Sequence, residues 1–429
     1  MKKGLNRKKF RIIREAGNLR RKGKAVFSCT AAVFLLSLAA CGGAGSGDEA
    51  EAVLSGSADS VSTESADASE KIRIFSGEEE SEEDGEEDGD LFILSGENSG
   101  ETESGSEIEE EGGVEDDTAL IFAGDVLLQD NITQAWKADG LDGILSSDLQ
   151  KELLDADLLM VNEEFPFGTG GEPDAGKQYT FQADPSYVEI FQEMGVDIVS
   201  LANNHVLDYG QDVLSQTFDI LDEAGIAYAG AGETLERAME WESFDLDGTK
   251  VGILCASRVY PSADWDVRNS QPGVFSTYDE TLLVEQIEEA EKENDLVIVY
   301  VHWGVEKEET PEDYQRELAQ AYIDAGADLV IGSHPHVLQG IEYYEGVPIV
   351  YSLGNFLFNE TIDQTALLKV YIDEEGAPAL QLIAAEAENS LTRALSGEEE
   401  EAVYEYVESI SYGAEIDDEG YVSQAEDED

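Results

Sequence analysis

The chain has 429 residues, enough for one large domain or two ordinary ones with a real core. Its charge is extreme and uneven: 25 basic residues face 96 acidic ones, and eleven of the basic ones fall in the first 24 positions. The rest of the chain carries 14 against 95, which excludes a nucleic-acid partner, since nothing there neutralises phosphates. On so acidic and solvated a surface no single Asp or Glu is informative by itself.

The N-terminus reads as an export signal. A basic region from Met1 to Lys24 precedes an apolar stretch, Ala25 to Ala40, of signal-core length and too short to span a bilayer comfortably. It ends Leu38-Ala39-Ala40-Cys41 before Gly42-Gly43, which resembles a bacterial lipoprotein lipobox. The plainer alternative is a signal peptide with a chance cysteine. The resemblance implies lipidation of Cys41, attachment to the membrane and an extracytoplasmic address. Cys29 then leaves with residues 1–40, Cys255 stands alone, and no internal disulfide is expected.

Residues 41–116 are built mainly from Glu, Asp, Ser and Gly. Such a segment buries too little apolar surface to offset its ordering entropy, so a disordered, self-repelling tether is expected. Three near-repeats interrupt it: Val53-Leu54-Ser55-Gly56, Ile74-Phe75-Ser76-Gly77 and Ile93-Leu94-Ser95-Gly96. They fit weak docking motifs or a repeat-expanded linker.

From Asp117 one design recurs: an Asp opens an apolar, β-rich run, and a polar group stands at its end. The instances are Asp117–Asp125, Asp157–Glu164, Asp197–His205, Asp295–His302 and Asp328–His336. Continuous apolar runs of this length predict strands buried on both faces. Helices fit between them, with N-terminal starts at Asp184-Pro185 and Thr310-Pro311 and stops at Gly195 and Gly326. Further strands are expected at Lys250–Ser257 and Pro348–Ser352, and a strand pair at Leu367–Ile372 and Ala379–Ala384. The pattern predicts an α/β domain over 117–389 with parallel or mixed sheets, whose ligand site lies beyond the carboxyl ends of the strands. Residues 390–429 are expected to add a docked amphipathic helix near Glu398–Ser411, on Val403, Tyr406, Val407 and Ile410, and then a frayed acidic end.

The polar end-residues are Asp125, Glu164, Asn204, His205, His302, His334 and His336, and they include all four histidines of the chain. Carboxylate, amide oxygen and imidazole form the ligand set of a dinuclear centre for Mn, Fe or Zn. The Pro in His334-Pro335-His336 lets both rings point to one side of a turn, and a shared carboxylate holds two ions about 3.5–4 Å apart. Trp303, Glu306, Arg258 and Asn355 are candidates for supporting or substrate contacts, with a turn role equally open for Asn355.

Gly124-Asp125, Asn162-Glu163-Glu164, Ala202–Gly210, His302–Glu306, Gly332–Val337 and Tyr351–Phe356 together resemble the CapA family of poly-γ-glutamate capsule biosynthesis proteins, related to the calcineurin-like metallophosphoesterases. The resemblance spans Thr118 to Phe358 and implies a four-layer αββα sandwich with a two-metal site on one edge. It implies Asp125 and His336 as ligands of one ion, Asn204, His302 and His334 of the other, and Glu164 as the bridging carboxylate. His205 is similar to the superfamily's proton-donating histidine, with Asp208 to orient it. One departure stands out: Leu127 occupies the place of the histidine in the superfamily's Asp-x-His motif. This implies that the Asp125 ion lacks a ligand and binds weakly or takes an extra water, and it leaves a mononuclear or metal-free site open. Two functional readings remain. One is a metal-dependent hydrolase acting on a phosphate ester or the polymer's γ-amide. The other is a lipid-anchored factor that binds or exports the anionic polymer, with a membrane-bound synthesis complex as partner.

Overall fold

Each apolar run is a strand, and the strands sort into two large sheets, with one further two-stranded ladder of short strands (Ala231–Gly232 with Gly273–Val274). The structure, a computed structural model, describes residues 118–372 and 377–426. Cys41 and the expected signal and tether lie outside the described residues.

In chain order, β1 (Thr118–Val126) leads to α1 (Asp130–Asp139), α2 (Ser147–Asp155) and β2 (Leu158–Glu163). Next come α3 (Val188–Met194), β3 (Ile198–Ser200), α4 (Gln211–Ala224), β4 (Ala227–Ala229), β5 (Ala231–Gly232) and α5 (Leu235–Ala238). After them stand β6 (Glu242–Leu246), β7 (Thr249–Ser257), β8 (Gly273–Val274), α6 (Thr281–Ala290) and β9 (Leu296–His302). The series continues with α7 (Asp313–Asp324), β10 (Leu329–Ser333), β11 (Leu338–Tyr344), β12 (Val347–Leu353), β13 (Asn355–Leu357), β14 (Ile362–Ile372) and β15 (Pro378–Glu388). It closes with β16 (Leu391–Ala394), α8 (Glu398–Ser409), β17 (Ala414–Ile416) and β18 (Tyr421–Gln424).

The first sheet runs β17-β18-β15-β14-β1-β2-β3-β4, with β13 also on β1 and β16 on β15. The second runs β11-β12-β10-β9-β7-β6. Both are mixed: β1 to β4 are mutually parallel, as are β7, β9, β10 and β12. Strand β14 runs against β1, β11 against β12 and β6 against β7, and β15, antiparallel to β14, runs again in the direction of β1. Alternation along β9 explains how the layers stack. Ile298 and Tyr300 join the central core with Leu120 and Phe122, and the Tyr300 hydroxyl donates to the Ala123 carbonyl of β1 at 3.1 Å. Val297, Val299 and Val301 pack on the other side with Leu283 and Ile287 of α6 and Leu318 and Tyr322 of α7. Ile190, Phe191, Leu214 and Phe218 bring α3 and α4 onto the first sheet. The result is the four-layer αββα sandwich.

The aspartates that open the runs have a physical role. Asp157, Asp197, Asp295 and Asp328 each accept a backbone N–H from the neighbouring strand, at Ala119, Leu159, Lys250 and Val297, over 2.7–3.1 Å. Each also donates its own N–H back to the same residue's carbonyl. The pair pins strand register at the amino edge, which fixes where the polar residues arrive at the carboxyl edge.

Three expectations are corrected. Helix α7 starts at Asp313 rather than at Pro311, because Glu312 and Gln315 form a reciprocal capping box two residues later. The chain after α8 is not a frayed acidic end: β18 pairs with β15 at Leu380↔Val422, and β17 pairs with β18. Ala414 and Val422 are buried there, a payload of two residues too small to register among the acids. Helix α8 docks, but on Val403, Tyr404 and Val407: Tyr404, outside the expected set, is buried, while Tyr406 and Ile410 are only partly buried. The Tyr404 hydroxyl donates to the Leu382 carbonyl at 3.0 Å.

Candidate metal centre

The parallel strands of both sheets end on one edge. Asp125 lies opposite Asn162, Asn162 opposite Ser200, and Ser257, His302 and Ser333 stand in register across β7, β9 and β10. The loop after β10 crosses toward the first sheet, where the His334 N–H donates to Asp125 Oδ2 at 3.3 Å. His334 and His336 hold φ at 98° and 57°. For residues with a side chain such backbone costs roughly 1–3 kcal/mol each, and it persists where the surroundings over-determine it. The turn aims both imidazoles at one point.

That point collects six predicted donors. Ligand atoms of Glu164, His334 and His336 lie within 4.8 Å of one another. His336 Nδ1 is 3.1 Å from Asp125 Oδ2, and its Nε2 is 3.8 Å from Glu164 Oε1. His302 Nε2 lies 2.8 Å from Asn204 Oδ1 and 3.6 Å from Glu164 Oε1. The His302 and His334 rings are 4.6 Å apart, and those of His334 and His336 5.7 Å.

These groups are buried and incompletely satisfied. Among the described residues, neither Glu164 carboxylate oxygen nor His334 Nδ1 has a hydrogen-bond partner, although the residues are only 1% and 4% exposed. A buried polar atom without a partner costs free energy, and native structures satisfy nearly all of them. Convergent orphaned carboxylate and imidazole atoms fit a divalent cation, which would complete both. Orphanhood alone does not mark the place. Glu163, on the opposite face of β2 by the strand's alternation, is also buried with both oxygens unpartnered, and no imidazole joins it.

Electrostatics follow from the burial. Desolvation, then the Asp125 charge, push the Glu164 carboxyl well above the carboxylate range. Burial and the neighbouring imidazoles hold His302 well below its usual value and take His334 down to about 3. Burial would lower His336 too, but Glu164 and Asp125 overcome it and lift this ring to about 10.

His205 and Asp208 form a second unit at the same edge. His205 Nδ1 is 2.7 Å from Asp208 Oδ2, which also accepts the Phe181 N–H at 2.7 Å. The Phe181 ring lies against the imidazole at 4.6 Å. Burial lowers His205, opposed by Asp208.

Several contributors escaped the sequence reading. The Asn162 side chain donates to Asp125 Oδ1 at 2.7 Å and accepts from Asn203 Nδ2 at 3.1 Å, so one amide chain crosses from β1 to the β3 loop. Ser333 Oγ is 3.0 Å from His302 Nδ1. Lys177 reaches in from a polar loop to the Asn204 carbonyl and Asp208 Oδ1, and nothing in its sequence surroundings signals this. Asn355 orients a ring: its Oδ1 is 2.8 Å from His336 Nδ1. Trp303 is corrected from a candidate contact to a core residue, fully buried and donating Nε1–H to the Tyr351 carbonyl. Glu306 is exposed. Leu127 is buried and supplies no donor; with Phe165, Phe181 and Tyr209 it lines a cavity of about 570 Å³. A second cavity, of about 310 Å³, opens on His336 and Asn355.

Known proteins share this chain's pattern. Residues 119–360 match the family described as bacterial capsule synthesis protein PGA_cap. The chain is similar to the PGA biosynthesis protein CapA of Bacillus subtilis, 31% identical over 260 residues, 59% of this chain and 68% of that one. It is similar to the capsule biosynthesis protein CapA of Bacillus anthracis, 30% identical over 273 residues, 62% of this chain and 66% of that one. It thus spans about two thirds of either relative. Among solved structures, a novel phosphatase from Mycoplasma pneumoniae aligns with a TM-score of 0.42 and 13% identity, over 63% of this chain and 94% of that one.

Proposed function

The chain belongs to the bacterial capsule synthesis protein PGA_cap family, and from that premise we propose that it is a metal-dependent hydrolase in poly-γ-glutamate biosynthesis. The observation that carries this is the convergence of unpartnered Glu164 and His334 atoms with four further donors at one sheet edge. Asp125 and His336 would hold one divalent ion, Asn204, His302 and His334 a second, and Glu164 would reach both. Mn, Fe or Zn suits this mixed oxygen and nitrogen set. When bound, such ions supply Lewis acidity and stabilise charge developing on a phosphoryl or carbonyl oxygen.

The protein's own groups do the remaining work. Asp208 engages His205 Nδ1 and stabilises the imidazolium, leaving Nε2 to deliver a proton to the leaving oxygen or nitrogen. Lys177 and the Phe181 N–H hold Asp208 in turn. The substrate is a phosphate ester or the γ-linked amide of an anionic chain. The cavity that opens on His336 and Asn355 leaves room beside the centre. Export and anchoring through a lipidated Cys41 would place the domain outside the cytoplasmic membrane, beside a membrane-bound synthesis complex; Leu38-Ala39-Ala40-Cys41 supports this part.

The test compares chelator-treated protein with protein reloaded with Mn, Fe or Zn, on phosphomonoesters, phosphodiesters and a γ-glutamyl oligomer. Metal-dependent turnover that His334→Ala abolishes is expected. Binding of the oligomer without turnover on any metal would instead establish a non-catalytic polymer-binding or export factor.

A further inference from the structure

Five arginines are described, and four of them pair with a carboxylate. Arg237 meets Glu242 at 2.9 Å, Arg268 meets Asp266 at 2.5 Å, Arg316 meets Glu342 at 2.7 Å and Arg393 meets Glu386 at 2.8 Å. Arg258 has no acidic or hydrogen-bonding partner for its guanidinium among the described residues, in a domain where 11 basic residues face 55 acidic ones over 117–389. With carboxylates so plentiful, a guanidinium left without one is a specific arrangement.

What holds Arg258 instead is aromatic. Its guanidinium lies 3.6 Å from the Tyr278 ring centroid and 5.2 Å from that of Tyr314. Stacking of this kind fixes the planar fork while leaving its edge N–H groups free for a planar anion. Tyr278 is half exposed and braced by the Tyr260 ring at 5.0 Å. The stack is tied to the strand end that carries His302. The Arg258 N–H donates to the His302 carbonyl at 2.8 Å, and the Gly304 N–H donates to the Tyr314 hydroxyl at 2.7 Å. A half-buried, preoriented guanidinium therefore stands one residue beyond the position that pairs with His302.

We propose that Arg258, stacked on Tyr278 and Tyr314, is a substrate-binding residue that takes a carboxylate of the anionic chain processed at the neighbouring centre. This rests on the reading of that centre as acting on poly-γ-glutamate. A fork that binds carboxylate through two N–H groups selects a planar acid over a point charge, so lysine is a partial substitute. It also explains how so acidic a domain holds an acidic polymer: the contact is local, at one unpaired cation, against a repulsive field.

The experiment is calorimetric binding of a γ-glutamyl oligomer, and separately of inorganic phosphate, to the full chain and to Arg258→Gln, Arg258→Lys and Tyr278→Ala. Arg258→Gln is expected to weaken oligomer binding at least tenfold, the scale of a lost charged hydrogen bond. Arg258→Lys should fall between, and Tyr278→Ala, at a half-exposed position, should lose a smaller factor by freeing the guanidinium. Should Arg258→Gln misfold, the lysine and Tyr278 variants decide. Oligomer affinity unchanged in the folded variants overturns the subsite and leaves the hydrolase reading standing. A wild type that binds phosphate but not the oligomer overturns the carboxylate assignment. A wild type that binds neither and turns over nothing overturns both the subsite and the reading beneath it.

Discussion

Loading the centre with metal must expel a proton, and the structure says from where. In the metal-free protein His336 is lifted to about 10 against its own burial, by Glu164 at 3.8 Å and Asp125 at 3.1 Å. An imidazole ligates only in its neutral form, so binding has to strip that proton. At pH 7 the ring is about three units below its titration point, a penalty of about 4 kcal/mol at 1.36 kcal/mol per unit. The proton is present in the free state and absent in the loaded one, so raising the pH favours loading. Affinity for Mn should therefore climb at least about tenfold per pH unit between about pH 6 and 8, with at least about one proton released per ion bound at this end, from His336 and from the Glu164 carboxyl that burial also raises. Calorimetric titration in two buffers of different ionisation heat measures both quantities. Glu164→Gln removes the first-named charge holding the proton and a ligand with it, so both proton release and affinity should drop. A flat affinity across this range, with no proton released, would refute the assignment of His336 to the metal.

Other outcomes rest on the same geometry. In the metal-free protein His334, held down to about 3, contributes stability that is lost as pH falls below 6.5, because the unfolded chain then binds a proton the folded one refuses. His336, raised to about 10, contributes stability lost as pH rises from 6.5 toward 10, so the histidines' combined contribution to denaturant stability should peak near pH 6.5. Asp208→Asn should reduce turnover about 10²–10⁴-fold while leaving metal content intact, since it touches His205 and no proposed ligand. Gly124→Ala would put a Cβ 1.9 Å from the Gly354 carbonyl oxygen, where β1 passes the turn before β13. A thermal melt should show a loss of about 1–3 kcal/mol or outright failure to fold.

Much of the architecture was legible because the strands are buried on both faces. Runs such as Leu296–His302 and Leu329–Ser333 are apolar throughout and end in a polar residue, and that ending marked the edge where the donors meet. The recurring aspartates were visible too, but their register-pinning bonds are contacts between strands and have no sequence signature. Side chains arriving from loops were least legible. Lys177 is a lone cation in a Gly-rich polar stretch, and only folding brings it to Asp208. Asn162 and Asn203 stood inside the quoted motifs, yet their amide chain is a property of three strands together. Strands β17 and β18 were missed because their payload is two buried residues in an acidic end. Trp303 shows the converse. Its neighbour His302 suggested a site role, but alternation turns it to the α6 and α7 side.

The proposed centre would take two divalent ions at this edge, with Asp125 and His336 holding one, Asn204, His302 and His334 the other, and Glu164 reaching both. Metal content per folded chain after reloading, measured by elemental analysis on wild type, His334→Ala, His336→Ala and Glu164→Gln, tests it most directly. Two ions in wild type, about one in each histidine variant and fewer in Glu164→Gln is the predicted result. A wild type that retains no metal, or the same stoichiometry in all four proteins, would contradict it.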